Sequence, residues 1–363
     1  MAMDFGSDNV SGVHDAILEA LREANTGTAV AYGHDEWTAR AVGRLRDVFE
    51  CDLSAYLVVT GTAANALALA ACCPPHGAVV CHHEAHITTD ECGAPEMFTG
   101  GAKLMGVRGA AGKLTTAGVA GMLATLGRGE HEQRPSVLSL SQATELGTVY
   151  TAAEVADLAE LARAHRLHVH MDGARFANAV VRLQCTPAEI TWKSGVDVLS
   201  FGATKNGALG VEAVVFFDPG LTDDFLYRRK RAGHLVSKGR YLGAQMLAYL
   251  HDDLWRTNAR HANAMADRLA AGLRLVPGVR LPLPVEANEV FAIVPRAVHE
   301  TLRAEGARYL EWPGEGPGTD GPAADETFIR LLTSFRSTEA EVRAFLATAA
   351  TAAGQPVAPA SAD

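Results

Sequence analysis

Positive charge and aromatic rings are both scarce in this 363-residue chain. Lys and Arg number 32 against 42 Asp and Glu, for a net charge of -10 at pH 7, and aromatic side chains supply only 6% of residues. A surface of that sign does not displace counterions from nucleic acid or anionic lipid, so neither is expected as a partner. No apolar run approaches the roughly 18 residues needed to cross a bilayer. The opening Met-Ala-Met-Asp-Phe-Gly-Ser-Asp lacks the basic and then apolar stretch of a secretory leader, so a soluble, cytoplasmic protein is expected. Six cysteines, Cys51, Cys72, Cys73, Cys81, Cys92 and Cys185, form no Cys-x-x-Cys pair. That excludes a disulfide framework and leaves small buried hydrophobes in a reducing compartment. There is no internal repeat. Against the acidic background one basic cluster, Arg228-Arg229-Lys230-Arg231, stands out and is expected to serve a local anionic group.

What is present is length and rhythm. The chain suffices for roughly two domains of about 150 residues each. From about residue 54 to 217, short apolar runs alternate with helix-period segments, the pattern of strand-helix-strand units and a mostly parallel sheet. The expected strands are Ala55–Val59, Ala78–Cys81, Lys103–Val107, Ser136–Leu140, Leu167–Met171, Val196–Ser200 and Ala213–Phe217. Thr151 and Glu154 form a capping-box signature before the helix Ala152–His165. Only about a dozen Gly-rich residues join the last two strands, too few for a crossover helix, so one of them is expected to run antiparallel. Long helices follow, Arg240–Tyr249 and Trp255–Leu275. A smaller α+β domain comes next, with strands near Val290–Val294, Arg308–Trp312 and Phe328–Ser334 and a closing helix from Thr338. The Ala, Pro and Gly-rich Ala352–Asp363 is expected to be disordered.

In an open α/β sheet, ligands bind beyond the carboxyl ends of the strands, so the polar residues there carry the information. The first strand end reads Thr60-Gly61-Thr62-Ala63-Ala64-Asn65, which suits either a phosphate held by helix N–H groups or an ordinary tight turn. It is neither a P-loop nor a dinucleotide fingerprint. His82-His83-Glu84-Ala85-His86 departs from His-Glu-x-x-His, so one ring at a pocket wall is favoured over a metal site, and no metal is expected. Asp172 follows the expected buried strand Leu167–Met171 and needs a cation or donor, with Arg175 three residues on as an internal partner. Lys205, in Phe201-Gly202-Ala203-Thr204-Lys205-Asn206-Gly207, is either solvated or a Schiff-base lysine. The order of these parts is the order that pyridoxal 5'-phosphate requires: donors for its phosphate, a ring to stack, an anion for its pyridine nitrogen and an amine for its aldehyde.

Those stretches, with Glu91-Cys92-Gly93-Ala94, resemble the low-specificity L-threonine aldolases over about Asp4 to Thr348. The resemblance implies an α/β fold of the aspartate-aminotransferase type, fold type I of the pyridoxal-phosphate enzymes. In it a large domain with a mostly parallel seven-stranded sheet is joined to a smaller C-terminal α+β domain. The expected division is an N-terminal segment 1–30, a cofactor-binding domain 31–250, and a small domain 251–351 entered through a connecting helix near 236–275. A homodimer or homotetramer with active sites at the dimer interface is also implied.

By the same resemblance Lys205 forms the Schiff base, Asp172 pairs with the pyridinium nitrogen, and His86 stacks on the ring and is a candidate acid or base. The phosphate falls to Gly61 and Thr62, with a cation from Arg228–Arg231 of a neighbouring subunit, Lys230 and Arg231 among them, and Thr60 and Thr204 also bind the cofactor. Arg175 borders cofactor and substrate, and the substrate carboxylate falls to Arg175, Arg330 and Ser7, with Tyr32 in a loop nearby. The implied reaction splits the Cα–Cβ bond of an L-β-hydroxy-α-amino acid, such as threonine, allo-threonine or phenylserine, into glycine and an aldehyde. The sequence departs from the commoner branch of the family at Ser141-Gln142-Ala143-Thr144-Glu145, where that branch carries a second active-site histidine. His86 is then the leading candidate base. The rival readings are another fold type I reaction, β-elimination or transamination, and a non-catalytic scaffold that keeps the fold.

Overall fold

The computed structural model describes residues 3–126, 128–313 and 321–354. In chain order the strands are β1 (Met3–Asp4), β2 (Ser54–Val58), β3 (Gly77–His82), β4 (Lys103–Val107), β5 (Arg134–Ser141), β6 (His168–Gly173), β7 (Val198–Gly202) and β8 (Glu212–Phe216). They continue with β9 (Glu289–Pro295), β10 (Ala307–Arg308), β11 (Leu310–Glu311) and β12 (Glu326–Leu332). The central sheet has the order β2-β8-β7-β6-β5-β3-β4, with β8 antiparallel to both neighbours and the other pairs parallel. All seven expected runs are strands of this sheet, their ends moved by at most two residues, and the expected antiparallel member is β8.

Apolar side chains on both sides explain why these runs carry no alternation. Leu138, Leu140, Leu199 and Phe201 pack into one core, and Val79, Val137, Val198 and Val214 into the core on the opposite face. The helix Gly61–Cys72 is built almost wholly of Ala and Leu and is buried nearly all round, as a helix without a polar face must be. The helix Ala152–Ala164 begins at Thr151, with the capping box to Glu154 formed in both directions.

Helices Arg240–Leu250 and Leu254–Leu273 lead from the large sheet to the antiparallel sheet β11-β12-β9. Met3 and Phe5 join the core beneath that smaller sheet, with Leu269, Val290, Ile329 and Phe345. The Phe5 carbonyl accepts the Leu332 N–H at 2.8 Å. The strand expected over Arg308–Trp312 is two short pieces: β10 pairs with β1, and β11 pairs with β12. Tyr309 divides them, buried beneath the Arg303 guanidinium at 4.1 Å, and the chain changes partner there. The closing helix is Glu339–Ala352, so Ala352 is helical. The rest of the expected tail falls, from residue 355 on, outside the described residues. Among the described residues no helix is long and apolar enough to cross a membrane.

Candidate active site

β6 and β7 lie side by side with Asp172 opposite Ser200. Both strands end in glycine for a steric reason. A Cβ on Gly202 would lie 2.6 Å from the Ala174 carbonyl, and one on Gly173 would lie 2.8 Å from the Ser200 carbonyl. Glycine alone lets the two exits close to this degree, which draws Asp172 and the Lys205 loop onto one cavity. That cavity, about 260 Å³, is also lined by Thr60, Gly61, Thr62, Asn65, His86, Glu91, Thr204 and Glu212.

Thr60 caps the helix Gly61–Cys72 by accepting the Ala63 N–H at 3.2 Å, which leaves the first-turn N–H groups of Gly61 and Thr62 for an anion at the cavity wall. Asp172 accepts from the Ala174 N–H at 3.0 Å and from the Asn65 amide at 2.8 Å. The same Asn65 nitrogen reaches Glu91 at 2.9 Å, and Glu91 in turn meets His86 Nδ1 at 2.9 Å. This chain of contacts presents the other edge of the His86 ring to the cavity. The bond to Glu91 raises the His86 pKa, while burial raises that of Glu91. Below them His170, wholly buried between Ser139 at 2.9 Å and Ser200 at 3.0 Å, is pushed down to about 4 by burial and stays neutral. His82 Nε2 meets the Gly109 carbonyl at 3.1 Å and its Nδ1 accepts the Glu84 N–H at 3.2 Å, while the ligand atoms of His82, His83 and Glu84 lie within 4.8 Å of one another.

The Lys205 loop is fixed on both sides. The Ala203 N–H donates to Glu212 at 2.6 Å, and Asn206 donates to the Tyr249 hydroxyl and the Trp255 carbonyl, both at 2.8 Å. Burial raises Glu212 to about 7, with Thr204, the loop N–H groups and Lys205 pulling it back.

A second cavity, about 480 Å³, opens beside the first and shares Asn9, His86 and Lys205 with it; Ser7, Glu145, Arg175, Trp312 and Arg330 complete its working wall. Arg175 does not pair with Asp172, contrary to the local partner that spacing offered. Its Nε and Nη2 donate to Asp8 at 2.8 and 3.2 Å, and Nη2 lies 3.5 Å from Glu289. The helix Phe176–Leu183 starts at Arg175 and turns it away from the strand, toward the N-terminal segment. Arg330 lies 3.8 Å from the same Glu289 oxygen and stacks on Trp312 at 4.6 Å. Glu289 is fully buried with no hydrogen bond to either oxygen, and burial pushes it up to about 7 against the pull of both arginines. Burial opposes ionisation of Asp8 too, but there Arg175, Lys205 and Asn288 together outweigh it and the carboxyl is held low.

Ser7 lies on this second cavity, its hydroxyl accepting the Asn9 N–H at 3.1 Å. Tyr32, Lys230 and Arg231 are not brought to either cavity within one chain. Lys230 sits 5.1 Å above the Tyr32 ring, Arg231 is exposed, and Tyr32 borders a separate hollow with the buried Arg229. Sequence reasoning gave no role to Asn65, Glu91, Glu212, Asp8, Glu289 or Glu145. Asn65 had a signal, as a polar amide within a buried helix made mostly of Ala and Leu. For Asp8 and Glu289 no local signal exists, because their partners are distant in the chain.

A beta-eliminating lyase family profile matches residues 4–297. A low-specificity L-threonine aldolase of Pseudomonas aeruginosa is 48% identical over 86% of this chain and 90% of its own length. A second, from a Pseudomonas species, is 43% identical over 94% and 95% of the two chains. Among solved structures, the threonine aldolase of Leishmania major superposes with a TM-score of 0.89 at 29% identity, over 96% of this chain and 99% of that one. The architecture is that of fold type I. The chain belongs to the beta-eliminating lyase family and, within it, to the low-specificity L-threonine aldolases.

Proposed function

We propose that this protein is a pyridoxal-phosphate-dependent lyase that splits L-β-hydroxy-α-amino acids reversibly at Cα–Cβ into glycine and an aldehyde. One observation carries the reading: a cavity with Lys205, Asp172 and His86 opens through shared walls into a cavity with Arg175 and Arg330. The residues of the first suit the cofactor. The Gly61 and Thr62 N–H groups would take its phosphate, Asp172 its pyridine nitrogen, His86 its ring face and Lys205 its aldehyde. When bound, it supplies the electron sink for the pair left at Cα.

The protein's own part is orientation and proton handling. Arg330 and Arg175 face the α-carboxylate, with Ser7 beside them. Arg175 already satisfies two of its donors on Asp8, so Arg330, stacked on Trp312, has more to offer the substrate. Fixing the carboxylate decides which Cα bond stands poised to break. A base takes the β-hydroxyl proton, the oxygen pair becomes the aldehyde C=O, and a proton added at Cα gives glycine. His86 faces that position, but its bond to Glu91 favours the protonated imidazole. A homodimer or homotetramer in the cytoplasm completes the reading, with Tyr32, Lys230 and Arg231 serving a neighbouring site. Product analysis tests it. Threonine, allo-threonine and phenylserine should each yield glycine and the matching aldehyde; pyruvate or another keto acid as the main product would replace it with β-elimination or transamination on the same scaffold.

A further inference from the structure

The turn Thr144–Thr148, which follows β5, is held from both sides. The Thr144 and Thr148 hydroxyls meet at 2.8 Å, Gly147 donates to the Thr144 carbonyl at 3.0 Å, and the Thr148 hydroxyl donates to the Ala111 carbonyl at 2.6 Å. Leu146 plugs into the apolar cluster of Phe291, Ile293 and Phe328 from the small domain, and the Val149 N–H donates to Glu286 at 2.9 Å. Gly147 takes φ +72°, and a Cβ there would press on Glu289 at 3.0 Å. The one side chain this clamp sends into the cavity is Glu145.

Three carboxylates line that cavity: Glu84, Asp90 and Glu145. Asp90 is exposed and occupied by the Thr89 hydroxyl at 2.7 Å, and Glu84 lies toward His82 at 4.0 Å. Glu145 is half-buried, and its field reaches His86, Arg175, Arg330 and Glu289, the groups around a bound amino acid. It shares the wall of this cavity with Arg175 and Arg330 and with the His86 ring.

We propose that Glu145 is the catalytic base of the cleavage: its carboxylate takes the proton of the substrate's β-hydroxyl and, by hydrogen-bonding that hydroxyl, selects its side at Cβ. This rests on the aldolase reading above. In the forward direction the O–H pair becomes the second bond of the aldehyde carbonyl, the Cα–Cβ pair stays with Cα, and the proton on Glu145 returns to the medium as the aldehyde leaves. In synthesis the protonated carboxyl delivers it to the aldehyde oxygen. His86, tied to Glu91, keeps its proton and orients rather than abstracts.

The test compares a reaction that has a β-hydroxyl with one that has none, using cofactor-loaded enzyme throughout. Glu145→Gln should lower kcat for phenylserine and threonine by about 10²- to 10⁴-fold. It should also change the threo-to-erythro ratio in synthesis. Exchange of the glycine Cα proton in D2O, and the glycine Kd read from the visible spectrum, should stay within about twofold of wild type, and Glu145→Asp should recover part of the cleavage rate. Cleavage by Glu145→Gln within about threefold of wild type overturns the proposal. So does an equal loss of glycine exchange, which would make the residue structural. A wild-type enzyme that exchanges glycine yet cleaves no β-hydroxy amino acid overturns the aldolase reading itself.

Discussion

The two adjoining cavities are built on opposite plans. In the first, nearly every working group stands at the end of a strand or on the first turns that follow it: Thr60 to Asn65 after β2, His86 and Glu91 after β3, Asp172 on β6, Lys205 after β7. Each is positioned by local geometry, and short-range hydrogen bonds to Asp172, Glu91 and Glu212 together with tight glycine exits do the fixing. The second is assembled from residues 7, 8, 145, 175, 289 and 330, which lie on the N-terminal segment, a turn beyond β5, a helix start and two strands of the small sheet. It is held by buried charge: two arginines against Asp8 and Glu289. The difference teaches that the first cavity sits on a locally encoded frame, whereas the second exists only where the N-terminal segment and the small sheet meet the large one.

The largest expected effect removes the centre of the first cavity. Lys205→Ala should lose the visible absorption of the bound cofactor and reduce cleavage about 10³-fold or more, with little change in thermal stability. An absorbing, active Lys205→Ala enzyme would dissolve the distinction between the cavities. Next comes the charge lattice of the second. Asp8→Ala leaves Arg175 buried against Glu289 alone and should cost about 3–5 kcal/mol in denaturant unfolding, with Asp8→Asn costing less. A stability near wild type for Asp8→Ala would show that Arg175 finds another partner and that the lattice does not hold the segment.

The smallest effect is a pH dependence. Glu212 has a folded value near 7 against 4.5 for the free side chain, so the folded protein keeps a proton that the unfolded chain has released. Its contribution is therefore full below about pH 4.5 and is lost as pH rises through about 7. Relative to wild type, Glu212→Gln should gain about 2–3 kcal/mol in unfolding free energy between pH 5 and 8. A parallel pair of pH curves would mean that Glu212 ionises freely beneath the Lys205 loop.

Particular residues show where reading along the chain succeeded. The seven strands were visible because a sheet covered on both faces demands short, mostly apolar runs, and an antiparallel member among the last two because a dozen residues cannot make a crossover; that it is β8 came from the structure. Asp172 and Lys205 were visible because each ends such a run. Arg175 was visible as a charge but not in its pairing: Asp8 lies 167 positions away and carries no pattern that points to it. Glu145 was read as the absence of a histidine. Its placement on the cavity needed the small domain, because Leu146 is anchored by Phe291 and Phe328.

The sequence by itself determined the strands, the cofactor-type strand ends and the family resemblance, because these depend on periodicity and on short spacings that survive as text. Only the tertiary structure decided that Arg175 serves Asp8 and Glu289, that Arg330 reaches the same cavity, and that Tyr32 and Lys230 stand apart from it within one chain. The physical reason is range. Hydrophobic patterning and helix capping act over a few residues, but a buried charge needs a donor or an opposite charge, and for Arg175 that partner is delivered by segments far away in the chain.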